Sequence, residues 1–167
     1  MNRPAKRPLW RYRMTPYAPL YALHLLAAVV WVGGMFFAWM ILRPAAVDIL
    51  EPPARLRLWL SVFKRFFVWV WIAVAVLPLT GVGMLHMSYS GFDAAPRYVH
   101  VMMGLYLVML ALFLRIQALQ LPQLRRAVEC ENWPAGGEAL GRIRKVVGSN
   151  LLIGLALMTL AAMRPVF

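Results

Sequence analysis

The sequence predicts an all-α, polytopic membrane protein in which four transmembrane helices form one antiparallel bundle. Of its 167 residues, 62% are hydrophobic and only 14% are charged, with a mean hydropathy of +0.66. Soluble domains carry roughly 25% charged residues, and disordered chains are far less apolar than this one. Both classes are excluded, and the length allows a single membrane domain over residues 1–167. Runs free of Asp, Glu, Lys and Arg cover about residues 18–42, 66–88, 98–114 and 146–163.

Each run is predicted to be a helix that crosses the membrane. A hydrocarbon core about 30 Å thick requires about 20 helical residues, and lipid offers no partner for unpaired backbone groups. None of the runs alternates apolar and polar residues as the strands of a membrane barrel do. The first run follows a basic tail at residues 1–13 and is longer than a signal-peptide core of about 7–15 residues, so we expect a retained span.

The second helix is expected to begin well before its apolar run. Glu51, Pro52 and Pro53 are typical of a helix start, since proline is favoured in the first turn, and residues 54–65 can continue directly into the span. Pro78 lies inside the span, where it removes one backbone hydrogen bond. We expect a bend there and a free carbonyl near the bundle interior.

The connection between the third and fourth runs, residues 115–145, predicts two helical extensions around a turn. Residues 133–137 (WPAGG) supply the helix breakers expected at that turn.

The net charge of +12 and the pI near 11.1 do not indicate nucleic-acid binding, because the basic residues lie between the apolar runs. Lys and Arg in such places contact anionic headgroups. Basic residues are more numerous in the first and third connections, which favours an outer N-terminus, whereas the basic tail favours an inner one. The orientation therefore stays open.

Cys130 is the only cysteine, which excludes an intramolecular disulfide and a Cys-based zinc cage.

Three histidines, His24, His86 and His100, fall in one layer of such a bundle. The start of the first span, the end of the second and the start of the third share one membrane side, so these depths differ by only about 6 Å. Intramembrane histidines are functional candidates, and neutral imidazole binds copper, iron and zinc. We expect ligand roles for His24 and His100. For these two histidines the alternative is packing or proton exchange, and for His86 it is a hydrogen bond to water, a carbonyl or a headgroup.

Helical spacing predicts which faces point inward. The first span presents His24, Ala28, Trp31, Met35 and Ala38, and the third presents His100, Met103, Gly104, Leu107 and Ala111. Close helix approach, or space for a large flat ligand, is predicted at Gly33, Gly34, Gly81, Gly83, Gly104 and Gly154.

Thioethers beside these imidazoles make a soft ligand set that suits Cu(I). Magnesium and calcium would require carboxylates, which the apolar runs lack. Methionine is also a common apolar filler, so chance clustering is the alternative. The predicted metal site consists of His24, His86, His100, Met102 and Met103. Neither a phosphate-binding loop nor a nucleophile motif is present, so an enzymatic role would require a bound metal or haem.

Several segments resemble CopD-like membrane proteins, small bacterial proteins of the copper resistance protein D family. The resemblance is carried by LHLL at residues 23–26, WVGGMFF at 31–37, EPPARL at 51–56, FF at 66–67 and YVHVMMG at 98–104. It implies a bacterial inner-membrane protein that is associated with copper uptake or resistance, and that in this family sometimes works beside a periplasmic copper-binding partner.

The same segments are more distantly similar to HemJ membrane proteins, which hold b-type haem through a histidine of the first span. That resemblance implies a second hypothesis, in which His24 and His100 are axial haem ligands and Trp31 and Gly104 contact the cofactor. Met102 stands where HemJ proteins have a lysine, which argues against their oxidation chemistry. A third hypothesis is a structural subunit without a cofactor. The oligomeric state is left open by the sequence.

Overall fold

The computed structural model describes residues 17–89 and 91–163, which form four long helices joined by short connections. Helix α1 spans Tyr17–Ile49, α2 spans Pro52–Ser88, α3 spans Arg97–Glu129 and α4 spans Trp133–Met163. All four are long and apolar enough to cross a membrane. The predicted all-α polytopic bundle is confirmed, whereas the basic tail at residues 1–13 lies outside the described residues.

The helices extend well beyond the apolar runs at the end formed by the first and third connections. With 31 to 37 residues each, they are about 46 to 55 Å long, against a hydrocarbon core of about 30 Å. This extension has its own core, in which Leu124 and Ile143 have no exposed surface and Leu56 is buried. The predicted early start of α2 at Pro52 is therefore confirmed.

The turn between α3 and α4 lies at residues 130–132, and not at the helix breakers of 133–137. Pro134 instead occupies the first turn of α4, where a proline costs no hydrogen bond. The side-chain oxygen of Asn132 accepts a hydrogen bond of 3.2 Å from the backbone N–H of Ala135 and caps this helix start. Glu131, with a φ of 52°, makes the reversal.

The bundle consists of two helical hairpins, because α1 packs along α2 and α3 packs along α4. Phe113 of α3 joins the two hairpins through edge-on aromatic contacts. Its ring centroid lies 6.2 Å from that of Trp31, 5.4 Å from Phe67 and 5.1 Å from Trp71. Aromatic pairs in this geometry add to the stabilisation that burial provides.

Two glycines allow the helices to approach closely, as predicted. A Cβ at Gly154 of α4 would lie only 2.8 Å from Cγ2 of Val32 on α1, and a Cβ at Gly34 would overlap the Phe66 ring. At Gly104 a Cβ would meet nothing within 4 Å, so this glycine makes no close approach.

The predicted inward face is confirmed for α1 and wrong for α3. On α1, Trp31 is 2% and Met35 is 3% exposed. On α3, by contrast, Leu107 is 55% exposed, and the buried residues of the apolar run 98–114 are Met109 and Phe113. Since the run 98–114 of α3 carries no charged side chain on any side, no charged stripe marks the face that turns away from the protein.

Candidate functional site

His24 of α1 contacts α2 through two atoms of its ring, Nδ1 and Cε1. Its Nδ1 lies 2.8 Å from Oγ1 of Thr80, and the half-buried ring lies against the backbone at Gly81. A Cβ at Gly81 would be 3.5 Å from Cε1 of His24, an ordinary contact distance. The partner of His24 is therefore a hydroxyl on the second helix.

The hydrogen bonds of Thr80 indicate which nitrogen of His24 carries the proton. The Thr80 hydroxyl donates to the backbone carbonyl of Val76 at 2.6 Å and is also 3.2 Å from that of Leu77. A hydroxyl has one proton, and we assign it to the Val76 carbonyl, which is the shortest of these contacts; Thr80 then accepts the hydrogen bond from His24, and Nδ1 is the donor. We therefore assign the Nδ1–H tautomer, which leaves Nε2 with a free lone pair.

A second hydroxyl supplies the backbone hydrogen bond that Pro78 cannot make. The carbonyl of Val74, four residues before Pro78, accepts a hydrogen bond of 2.8 Å from the Tyr106 hydroxyl of α3. Proline has no N–H to donate to that carbonyl, so Tyr106 supplies the missing donor. The sequence predicted the free carbonyl but not its partner.

Trp31 of α1 packs against two aromatic residues of α3, Tyr106 and Phe113. Its ring meets Tyr106 edge-on, with centroids 6.3 Å apart and planes at 87°. It is 2% exposed and contacts Phe113 on its other side. Trp31 thus holds α1 against α3 about two helical turns from His24, and its predicted role as a cofactor contact stays a prediction.

His86 and His100 lie at the end of the bundle where α2 and α3 connect, and both are exposed. His86 is in the last turn of α2. On α3, Nδ1 of His100 is 3.4 Å from the Pro96 carbonyl, and its ring meets Phe92 edge-on at 5.8 Å. Met102 and Met103 follow on α3 and are half-buried.

The structure thus separates the predicted histidine ligands along the bundle, with His24 farther inside and His86 and His100 at the end where α2 and α3 connect. His24 is bound to Thr80, six residues before His86 on α2, which corresponds to about 9 Å along the helix. Within residues 17–89 and 91–163, no group of three or more His, Cys, Asp or Glu side chains is placed to hold a metal ion.

A haem held between α1 and α3 does not fit these residues. Axial ligation requires the imidazoles of His24 and His100 to face each other across the haem. The His24 ring is instead hydrogen-bonded to Thr80 of α2, and His100 is exposed with its Nδ1 near the carbonyl of Pro96 at the start of its own helix. Gly104, predicted to make room for the cofactor, is exposed as well.

Sequence reasoning missed Thr80 and Tyr106, the two hydroxyls that organise this region. A usable signal was present, because a hydroxyl inside an apolar span requires a hydrogen-bond partner. Thr80 also lies two residues after Pro78, next to the backbone that the proline disturbs.

A separate cavity of about 360 Å³ lies between the helices nearer the other end of the bundle. Its walls are apolar and include Trp31, Phe66 and Phe113. Asn150 of α4 also lines it, is 2% exposed, and has a side-chain oxygen without a hydrogen-bond partner.

Comparison with known families gives a match over more than half of the chain. The model of the family CopD, described as copper resistance protein D, matches residues 60–164. The match covers more than half of the chain, including most of α2 and all of α3, and leaves α1 with His24 outside. Neither the curated proteins nor the solved structures contain a match to this chain.

Proposed function

Because the chain belongs to the copper resistance protein D family, and its four helices are able to cross a membrane, we propose that this inner-membrane protein moves copper in resistance or transport. Copper is its substrate in this proposal. The chain binds the ion transiently through imidazole and thioether side chains, the ligands that Cu(I) prefers.

One observation carries the assignment of a ligand. His24 uses Nδ1 for its hydrogen bond to Thr80, which leaves the lone pair of Nε2 for a metal. Metal-binding histidines characteristically use their second nitrogen in this way, because the outer hydrogen bond sets the tautomer and orients the ring. In this arrangement the ring of His24 is oriented and its Nε2 is available, as in a metal ligand. His24 nevertheless lies outside residues 60–164, the range that the family model matches.

The remaining predicted ligands form the entrance to this site in our proposal. His86 and His100 are exposed at the end of the bundle where α2 and α3 connect. Met102 and Met103 lie on α3 between that end and the membrane interior. Copper would bind first at the outer imidazoles and then pass to His24. The resemblance to CopD-like proteins supports delivery by a soluble periplasmic copper-binding partner.

The test is copper analysis of purified protein loaded with Cu(I) under reducing conditions and then desalted. We expect His24→Ala to lose most of the bound copper, and His100→Ala to lose part of it. Met103→Leu should lower copper retention, whereas Met40→Leu, which removes an exposed thioether near the other end of α1, should not. Copper content equal to wild type in both histidine variants would refute this site.

A further inference from the structure

Three arginines from three different helices converge at the end of the bundle away from His24. Arg43 lies on α1, Arg55 on α2 and Arg144 on α4, and each is half-buried. Arg43 and Arg55 are both close enough to Arg144 for their charges to repel its guanidinium. Along α1, Arg43 is about 28 Å from His24, so this cluster is separate from the proposed copper site.

No carboxylate pairs with this cluster in the described part of the chain. The ion pairs found there join Arg57 to Glu131, Arg125 to Glu129 and Arg142 to Glu138. Asp48 and Glu51, the acidic residues of the α1–α2 connection, are exposed and form no ion pair with the three arginines.

Arg144 also has an unmet hydrogen-bonding requirement, since its Nε is buried without a partner. A buried charged donor without an acceptor is costly, and like charges nearby raise that cost. An anion between the guanidinium groups would supply the acceptor and offset the repulsion.

Trp39 holds Arg43 in place beside α4. The Arg43 guanidinium lies 5.0 Å from the centroid of the Trp39 ring. The same ring packs on α4 at Gly148, where a Cβ would lie only 2.8 Å from it. Gly148 follows Arg144 by one helical turn, so the contact carries Arg43 to the side of α4 that bears Arg144.

The level of the cluster indicates the kind of anion. Arg43 directly follows the apolar run 18–42, and Arg144 comes just before the run 146–163. Both therefore lie where the hydrocarbon core meets the headgroups, and basic pockets between helices at this level bind phosphate-bearing headgroups. Guanidinium groups match the geometry of phosphate oxygens.

We propose that Arg43, Arg55 and Arg144 form a binding site for a phosphate group, supplied by an anionic membrane lipid. Inorganic phosphate offers the same chemistry from water, and the experiment below distinguishes the two sources. The proposal does not depend on copper binding.

The experiment compares two variants that remove the same charge from α4. Arg144→Gln removes the guanidinium whose buried Nε has no partner among the described residues, whereas Arg142→Gln removes an exposed one whose partners are Gln123 at 3.0 Å and Glu138 at 3.8 Å. Native mass spectrometry in neutral detergent would measure binding of phosphatidylglycerol, with a diacylglycerol of the same acyl chains as the probe that lacks phosphate. Thermal unfolding would measure stabilisation by inorganic phosphate.

We expect Arg144→Gln to weaken phosphatidylglycerol binding about fivefold, the contribution of one basic residue near a membrane surface, and Arg142→Gln to change it less than about twofold. Diacylglycerol should bind weakly to all three proteins. If Arg144→Gln does not fold, Arg43→Gln carries the same expectation.

The source of the phosphate follows from the two measurements. Binding of the lipid without stabilisation by inorganic phosphate identifies a lipid site, and Arg144-dependent stabilisation by inorganic phosphate identifies a site open to water. An equal loss of phosphatidylglycerol binding in Arg144→Gln and Arg142→Gln would overturn the proposal. It would also be overturned if neither phosphatidylglycerol binding nor stabilisation by inorganic phosphate changed in Arg144→Gln.

Discussion

The Tyr106 hydroxyl donates a hydrogen bond of 2.8 Å to the backbone carbonyl of Val74, the acceptor that Pro78 leaves without its helical donor. A proline inside one helix is thereby matched by a hydrogen-bond donor on another. Because lipid provides no water to satisfy the carbonyl, the contact both stabilises α2 and fixes its position against α3.

Replacing Tyr106 with Phe should lower the free energy of unfolding by about 1 kcal/mol, because the Val74 carbonyl would lose its partner in an apolar environment. Denaturation of the purified protein in mixed micelles would measure this change. In a Pro78→Ala background the new N–H can occupy the same carbonyl, so Tyr106→Phe should then cost much less. An equal cost in both backgrounds would show that the two residues do not act on the same acceptor.

If copper binds His24 as proposed, Thr80→Val should weaken that binding by about 10- to 100-fold, because the valine leaves the ring without its orienting partner. A competition titration with a Cu(I) chelator would give the affinity. The matched control is Thr159→Val, since Thr159 is exposed and bonds only to the Leu155 carbonyl of its own helix, at 2.9 Å. Equal affinities in the two valine variants would exclude a positioning role for Thr80.

Asn150→Leu should raise the free energy of unfolding by about 1 to 3 kcal/mol, since it removes a buried oxygen that has no hydrogen-bond partner. Thermal unfolding in detergent would detect a higher midpoint. Asn132→Leu is the contrasting variant, because the side-chain oxygen of Asn132 caps α4. Its removal should destabilise the protein by about 1 kcal/mol. A lower midpoint for Asn150→Leu would mean that Asn150 has a partner in the membrane.

Gly154→Ala should destabilise the bundle by about 1 to 3 kcal/mol, because the added methyl would come within 2.8 Å of Val32 and 3.2 Å of Met109. Gly104→Ala meets no atom within 4 Å and should be neutral or stabilising by up to about 1 kcal/mol, since alanine favours the helix. The same unfolding assay compares the two, and equal effects would contradict the packing described at Gly154.

Much of the fold could be predicted because lipid imposes simple rules. Long uncharged runs must be helices, and Glu51, Pro52 and Pro53 mark the start of α2 by chemistry that does not depend on its surroundings. The turn at residues 130–132 was misplaced because the same proline and glycines that interrupt a helix are acceptable in its first turn.

The candidate site was predictable only in part. His24 stands out as an imidazole in an apolar run, and the α1 face that carries it was correctly assigned by its spacing through Trp31 and Met35. Its hydrogen bond to Thr80 joins residues 56 positions apart and depends on how α1 and α2 pack.

The sequence by itself determined that there are four apolar helices, approximately where each lies, and that Pro78 frees a carbonyl. Only the tertiary structure decided that Tyr106 occupies this carbonyl, that His24 bonds to Thr80, and that Met109 rather than Leu107 faces inward on α3. The physical reason is that lipid is as apolar as the protein interior. The composition of a membrane helix therefore does not distinguish the two sides, and helix packing has to select between them.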